Sequence, residues 1–215
     1  MPLQIAALWR YPIKSLAGES LDEAELTLTG IPGDRIVHVR GPEGIRTSRR
    51  QFHLLGLRGT LDVGGTPLVN GKPWDSIDAL ELVQEAAGDD AELALSEEAE
   101  RFDILPLLVA TDGAVKEFGR DVRRLRPNIL IGGVEGLAER SWEGKEMLIG
   151  DVVIGLHSLR ARCPMTTVDP DRITRDPEVL KDIGRRFGGR LALNAFVAQP
   201  GRIKVGDPVT LRETQ

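Results

Sequence analysis

The apolar residues of this chain come in short runs that glycine and proline interrupt. Ile36, Val37 and Val39 form one such run, and the turn sequence 41–44 follows it directly. With 24 Gly and 13 Pro among 215 residues, short strands fit between the turns better than long helices do. We therefore expect a mainly β fold with a few short helices, and we favour an antiparallel β-barrel over a doubly wound sheet.

Three segments have the periodicity and the end signals of short helices. The first begins after Ser76, which can cap it, and ends near Ala87. The second covers about 111–119. The third begins at Asp176 and Pro177, and a pair of glycines ends it.

Two segments near the end of the chain have the pattern of β-hairpins around a Gly-Asp turn. The first is 147–154 and the second is 203–211. Pro208 has no amide hydrogen to donate and would weaken a central strand. We therefore expect the second hairpin to lie at the edge of a sheet.

The charge and the apolar pattern restrict the partners of the chain. The net charge of −5 argues against a general nucleic-acid partner, which would need a basic face. No apolar run approaches the roughly 18 residues that cross a bilayer. The first residues also lack the pattern of a secretory signal. We expect a cytoplasmic protein with neither nucleic acid nor membrane as partner.

Arginine outnumbers lysine by 22 to 6, and several arginines are clustered in sequence. One interpretation is a solvated basic surface. The other is a site for a small anion, because the guanidinium group binds phosphate through two parallel hydrogen bonds.

The chain contains one cysteine, Cys163, so an internal disulfide and sites with several cysteine ligands are excluded. Arg160 and Arg162 precede it and Pro164 follows it. Nearby guanidinium charge favours the thiolate, which is the form that binds metal or attacks an electrophile. From local chemistry alone, a small buried apolar cysteine remains the alternative.

The stretch 160–170 reads Arg-Ala-Arg-Cys-Pro-Met-Thr-Thr-Val-Asp-Pro. It resembles the cysteine motif of the MOSC family, which includes the mitochondrial amidoxime reducing components and their bacterial relatives. Further blocks similar to those of the family follow one another in the expected order over nearly the whole chain: 11–15, 33–35, 47–51, 125–129, Trp142, 149–151 and 201–208.

The resemblance implies a molybdenum–molybdopterin cofactor, with Cys163 as metal ligand and catalytic residue. It implies cofactor-binding roles for seven further residues: Lys14, Ser15, Arg35, Arg126, Asn128, Arg162 and Thr166. Cationic and amide donors of this kind suit a phosphorylated pterin. It also implies an antiparallel β-barrel MOSC domain over 91–215 and a smaller N-terminal β region over 1–90, with the boundary in the polar stretch 85–105.

Two positions depart from the pattern of the family. After the cysteine motif many relatives continue Asp-Thr-Gly, whereas this chain has Asp171-Arg172-Ile173. That difference leaves the substrate preference open. Gly113 stands near a position where the family often has serine, which implies that one ligand hydrogen bond is missing or replaced.

Three functions are compatible with these residues. We favour a reductase of small N-hydroxylated compounds, and we expect its electrons to come from a separate protein of the ferredoxin, flavin or cytochrome type. The second is a sulfur carrier that holds a persulfide on Cys163 and works with a pyridoxal-phosphate-dependent desulfurase. The third is a metal-free binding barrel in which Cys163 has no role.

Overall fold

The computed structural model describes residues 2–97 and 101–213. The strands are β1 (Gln4–Arg10), β2 (Glu19–Leu21), β3 (Glu23–Leu26), β4 (Val37–Gly41), β5 (Gly44–Arg46), β6 (Gly59–Leu61), β7 (Pro67–Val69), β8 (Lys72–Pro73), β9 (Glu92–Leu95), β10 (Leu107–Thr111), β11 (Ile129–Gly132), β12 (Lys145–Ile149), β13 (Val152–Ala161), β14 (Arg190–Gln199), β15 (Gly201–Lys204) and β16 (Thr210–Glu213). The α-helices are α1 (Ile77–Ala87), α2 (Asp112–Phe118) and α3 (Glu178–Phe187). The expectation of a mainly β fold with short helices is confirmed.

Eight strands form the largest sheet, in the order β16-β12-β13-β14-β10-β11-β1-β2. Neighbouring strands are antiparallel except β10 and β11, so the sheet is mixed rather than purely antiparallel. The reason is that α2 connects these two strands, and a helical crossover returns the chain in the same direction.

The segment before β16 joins the far side of this sheet. The amide of Ile5 donates to the carbonyl of Asp207 at 3.0 Å, and the amide of Val209 donates to the carbonyl of Leu3 at 2.9 Å. These bonds connect the region next to β16 with the beginning of β1. The segment that leads into β16 is thereby held against β1, which stands near the opposite end of the strand order.

The described residues form three apolar cores. The largest lies against the eight-stranded sheet and includes Ile5 and Leu26, and the smallest packs α2 against α3. The second core packs α1 against β4 and the segment around Leu54. Strands β1 and β2 belong to the large sheet, whereas β3 pairs with β15 in a separate two-stranded sheet. The division at residue 90 stays a prediction. Residues 98–100 of the stretch 85–105 lie outside the described residues.

The three helices begin and end close to where the sequence predicts. The hydroxyl of Ser76 accepts a hydrogen bond from the amide of Ala79 at 3.2 Å, which caps α1. The hydroxyl of Thr111 accepts from the amide of Ala114 at 3.1 Å, which caps α2. Asp176 accepts from the amide of Glu178 at the start of α3. Short polar side chains thus satisfy amides that would otherwise lack a partner.

One of the two predicted hairpins forms and the other does not. Strands β12 and β13 pair around the predicted Gly-Asp turn. Strand β15, however, pairs with β3, and β16 pairs with β12. The prediction of a hairpin over 203–211 was wrong because both strands find partners that are distant in sequence. Strand β16 does lie at an edge of the large sheet, as Pro208 indicated.

Among the described residues, no helix has both the length and the apolar character needed to cross a membrane.

Candidate functional site

Cys163 lies where β13 ends and a short 3-10 helix, Pro164–Thr167, begins. Its side chain is half-buried. Pro164 occupies the first helical position, where the absent amide hydrogen costs nothing. The amide and the hydroxyl of Thr166 both donate to the carbonyl of Cys163, at 3.1 and 2.9 Å. The backbone that carries the thiol is therefore held firmly.

Cys163 opens into a cavity of about 90 Å³. Seven of the eight predicted site residues line this cavity: Lys14, Ser15, Arg35, Arg126, Asn128, Arg162 and Cys163. The eighth, Thr166, is buried behind the cysteine turn and holds the backbone rather than the wall. The fold thus brings together residues that lie up to 149 positions apart in sequence, from Lys14 to Cys163; the roles of these residues toward a ligand stay a prediction.

Three residues of the cavity wall have a left-handed backbone although none of them is glycine. The φ angles are 74° at Ser15, 54° at Arg35 and 56° at Arg126. Such conformations cost about 1 kcal/mol or more each and persist only where surrounding contacts impose them. Their concentration at one cavity is typical of a functional site.

Three hydrogen bonds hold the side chain of Asn128 in the cavity wall. Its amide oxygen accepts from the amide of Leu108 at 3.1 Å. Its amide nitrogen donates to the carbonyl of Trp9 and to the carboxylate of Asp34, both at 3.3 Å. Because three segments meet at this one side chain, Asn128 positions the cavity wall.

Arg126 and Arg162 bring two guanidinium groups into the interior without a carboxylate partner among the described residues. Arg126 is buried and donates to the carbonyl of Leu16 at 2.6 Å. Arg162 donates to the carbonyl of Leu125 at 2.7 Å, while its buried Nε atom has no hydrogen-bond partner in the described structure. Burial lowers the pKa of both groups to about 10. An anion in this cavity would relieve that cost.

Asp103 is a carboxylate of the same cavity that three cations share. It lies 3.3 Å from the Nζ atom of Lys14 and 3.0 Å from a guanidinium nitrogen of Arg160, and it also pairs with Arg49. Burial opposes ionisation, but Lys14, Arg49 and Arg160 outweigh it and hold the pKa of Asp103 below its usual range.

Sequence reasoning did not identify Asp103, Arg49 or Arg160 as site residues. Arg49 lies beside the Cys163 thiol as well as Asp103; burial opposes its charge, and these two neighbours raise its pKa nevertheless. Arg49 and Arg160 stand in stretches that resemble the family, but the resemblance implied no role for them, and clustered arginines are also typical of a solvated surface. Asp103 stands alone in its segment and gave no signal.

Arg35 is held on the opposite wall by stacking and by an ion pair. It pairs with the buried carboxylate of Asp34, and its guanidinium carbon lies 5.1 Å from the centre of the Tyr11 ring. Arg126 covers the same ring at 4.3 Å. Burial raises the pKa of Tyr11 to about 12, and the tyrosine hydroxyl donates to the carbonyl of Pro127.

The structure gives a physical reason for the glycine at position 113. A Cβ atom there would lie 2.5 Å from the backbone oxygens of Val134 and Gly136. Any larger residue would therefore displace backbone. The neighbouring Thr111 is buried, and its hydroxyl donates to Glu139 at 3.2 Å. Neither residue lines the Cys163 cavity.

Two family models match successive parts of the chain. Residues 3–96 match the model of the MOSC N-terminal beta barrel domain, and residues 110–210 match that of the MOSC domain. This chain belongs to the MOSC family. The MOSC cysteine turn and the N-terminal segment with Lys14 thus come from the two matched regions and meet at one cavity.

Relatives of this MOSC protein carry names that refer to two kinds of activity. Mitochondrial amidoxime-reducing component 1 of Mus musculus is 29% identical, and the match covers 96% of this chain and 82% of the relative. The human protein of that name is 28% identical with the same coverage. Molybdenum cofactor sulfurase of Bombyx mori is 29% identical over 41% of this chain and 11% of the relative.

Among solved structures, the YUAD protein from Bacillus subtilis superposes with a TM-score of 0.55. The match covers 100% of this chain and 98% of the other at 14% sequence identity. It supports the fold alone.

Proposed function

We propose that this MOSC protein is an oxidoreductase that uses a molybdenum–molybdopterin cofactor to reduce small N-hydroxylated compounds. One observation carries the proposal: Arg126 and Arg162 enter the interior without a carboxylate among the described residues, in the cavity that holds the only thiol. Such an arrangement suits a ligand with an anionic group and a thiophilic metal. The relatives named amidoxime-reducing components support the choice of reaction.

The residues present fit this cofactor. The buried Nε atom of Arg162 has no partner in the described structure and can donate to a phosphate or oxo group. Lys14, Ser15 and Arg35 line the same cavity and add donors from the N-terminal segment. A cysteine thiolate is a soft ligand that suits molybdenum already bound to dithiolene sulfur. Within the described ranges no group of three or more His, Cys, Asp or Glu side chains forms a metal site, and Cys163 is the protein ligand in this proposal.

The cofactor, when bound, supplies the two-electron redox chemistry. The protein positions it: Asn128 and Thr166 fix the wall and the cysteine turn, and the cations bind the anionic groups. Reduction of an amidoxime breaks the N–O bond, consumes two electrons and two protons, and releases one water molecule. We propose that the electrons come from a separate donor protein of the ferredoxin, flavin or cytochrome type, and that the reaction takes place in the cytoplasm.

A reductase assay tests this proposal. The cofactor-loaded protein is supplied with benzamidoxime and with electrons from reduced methyl viologen, and benzamidine is measured by chromatography. We expect turnover in the wild type and at least a hundredfold loss in Cys163→Ser. The control Arg202→Gln, which changes an exposed arginine of β15 paired with Glu23, should keep full activity. A loaded wild type that forms no benzamidine would contradict the proposed reaction.

A sulfur carrier is the second candidate, supported by the half-exposed thiol and by the match to molybdenum cofactor sulfurases. In this case a desulfurase would transfer one sulfur atom to Cys163. Intact-protein mass spectrometry after incubation with a pyridoxal-phosphate desulfurase and cysteine would show the mass of one added sulfur. Its presence in metal-free wild type and absence in Cys163→Ser, together with no reductase activity, would favour this function.

A further inference from the structure

A second cavity, of about 350 Å³, lies next to the Cys163 cavity. Arg126 and Met165 line both cavities and form part of the wall between them. The second cavity is larger than the first and falls in the range of small-molecule pockets. None of the motifs discussed above assigns a ligand to it.

The walls of this second cavity are aromatic and sulfur-containing. Trp9 projects from β1, and the buried Tyr11 follows directly after that strand. The hydroxyl of Tyr11 is bonded to the carbonyl of Pro127 at 2.9 Å and Arg126 covers its ring, so Trp9 is the aromatic side chain that remains for a ligand. Met165 supplies a thioether, which packs well against aromatic rings. These side chains suit a flat, unsaturated ligand.

The charges around the second cavity are positive. Four arginines line it, and none of the described residues that line it is acidic. Arg123 is paired with Asp121 and Asp171, and Arg124 with Asp169. Arg126 bonds to a backbone carbonyl instead of a carboxylate.

Arg58 supplies a second cation without a carboxylate partner among the described residues. Its side chain is exposed, whereas Arg126 is buried. The cavity therefore has two guanidinium groups that no described carboxylate neutralises: that of Arg58 is exposed to solvent, and that of Arg126 is buried. Both can bind a carboxylate or a similar planar anionic group through charge-assisted hydrogen bonds.

We propose that this second cavity binds a small planar aromatic anion, of which an aromatic carboxylate is the simplest example. The ring would pack on Trp9 and Met165, and the anionic group would bind to the exposed Arg58. The site shares the wall residues Arg126 and Met165 with the Cys163 cavity, but it requires neither Cys163 nor the proposed reaction.

Isothermal titration calorimetry with 1-naphthoate tests the proposal, with 1-naphthamide as a neutral ligand of the same shape. The wild type should bind one 1-naphthoate per chain and bind the amide at least tenfold more weakly. Arg58→Gln should weaken 1-naphthoate binding about tenfold, because one charge-assisted hydrogen bond is lost. Equal affinity for the acid and the amide, or no binding of 1-naphthoate by the wild type, would overturn the proposal.

Two variants locate the bound probe. Ser20 is exposed on the edge strand β2 and lines the second cavity, so Ser20→Phe should fill the cavity and abolish binding. Thr210→Phe makes the same kind of change on the edge strand β16, away from both cavities, and should leave binding unchanged. Unchanged binding in Ser20→Phe, or loss of binding in Thr210→Phe, would contradict the assignment to the second cavity.

Discussion

Asp103 determines which cations of the Cys163 cavity remain available to a ligand. It neutralises part of the charge of Lys14, Arg49 and Arg160, whereas Arg126 and Arg162 keep theirs without a carboxylate among the described residues. A single carboxylate therefore divides the cavity into a paired part and an unpaired part. An incoming anion would compete with Asp103 for the paired part.

Asp103→Asn is predicted to strengthen the binding of inorganic anions to this cavity. The amide removes the competing negative charge and leaves three cations for the anion. We expect the dissociation constant for molybdate, measured by calorimetry on cofactor-free protein, to fall about tenfold, which corresponds to about 1.4 kcal/mol. Asp90→Asn, which changes an exposed carboxylate paired with Arg46, is the control and should have no effect. Weaker molybdate binding in Asp103→Asn would show that the carboxylate organises the cations rather than competing for them.

Gly113→Ser is predicted to destabilise the protein although serine is frequent near this position in the family. The added Cβ would meet two backbone oxygens at 2.5 Å, and backbone cannot move aside as a flexible side chain can. We expect the free energy of unfolding in urea to fall by about 2 kcal/mol. Gly184→Ser is the matched control, because a Cβ there meets nothing within 4 Å. Equal stability of the two variants would show that the loop after β11 adapts.

Some site residues could be predicted from the sequence because they stand in recognisable motifs. Others could not, because only folding brings their partners to them. Lys14, Arg35 and Cys163 stand in ordered motifs, and they line one cavity. Asp103 has no motif around it, and its importance comes only from three cations that folding brings to it. Arg49 carries the signal of a charged surface until the fold places it beside the thiol.

At the scale of the elements, the crossover through α2 connects the large sheet to a buried carboxyl group. Thr111 ends β10, caps α2 and donates to Glu139, which lies in the 3-10 helix Ala138–Ser141. Burial raises the pKa of Glu139, and its Oε1 atom has no partner in the described structure. The charged form is therefore disfavoured in the folded protein.

Glu139→Gln is predicted to change the pH dependence of stability. Because the pKa in the folded state is raised, the contribution of the neutral carboxyl is complete below the pKa of the unfolded chain. It is lost as the pH rises through the pKa of the folded state. In urea unfolding, the wild type should lose stability relative to Glu139→Gln as the pH rises above the usual carboxyl range, with the exposed Glu135→Gln as control. If the difference in stability between the wild type and Glu139→Gln were the same at every pH, the raised pKa of the buried Glu139 carboxyl would be contradicted.

Element boundaries were predicted well where the signal is local. The capping residues Ser76 and Thr111 mark the starts of α1 and α2, because each cap bonds to an amide three residues away. The hairpin of β12 and β13 has its turn within the predicted segment. Strands β15 and β16 were paired wrongly, since their partners lie far away in sequence and no local pattern encodes them.

At the scale of the whole molecule, the Cys163 cavity depends on contact between the two halves of the chain. The N-terminal half supplies Lys14, Ser15 and Arg35, and the C-terminal half supplies the thiol and three of the six arginines that line the cavity. Asn128 holds the halves together through Trp9 and Asp34. Each motif can be recognised within its own stretch of sequence. The shape of the cavity cannot, because it depends on how the fold brings these stretches together.

Molybdenum content is the measurement that tests the central proposal most directly. The wild type, Cys163→Ser and the control Arg202→Gln are purified from a host that makes the pterin cofactor, and the metal is determined by inductively coupled plasma mass spectrometry. We predict near-stoichiometric molybdenum in the wild type and in Arg202→Gln, and its loss in Cys163→Ser. A wild type without molybdenum, from a host that loads a known molybdenum enzyme, would contradict the proposal that this cavity holds the cofactor.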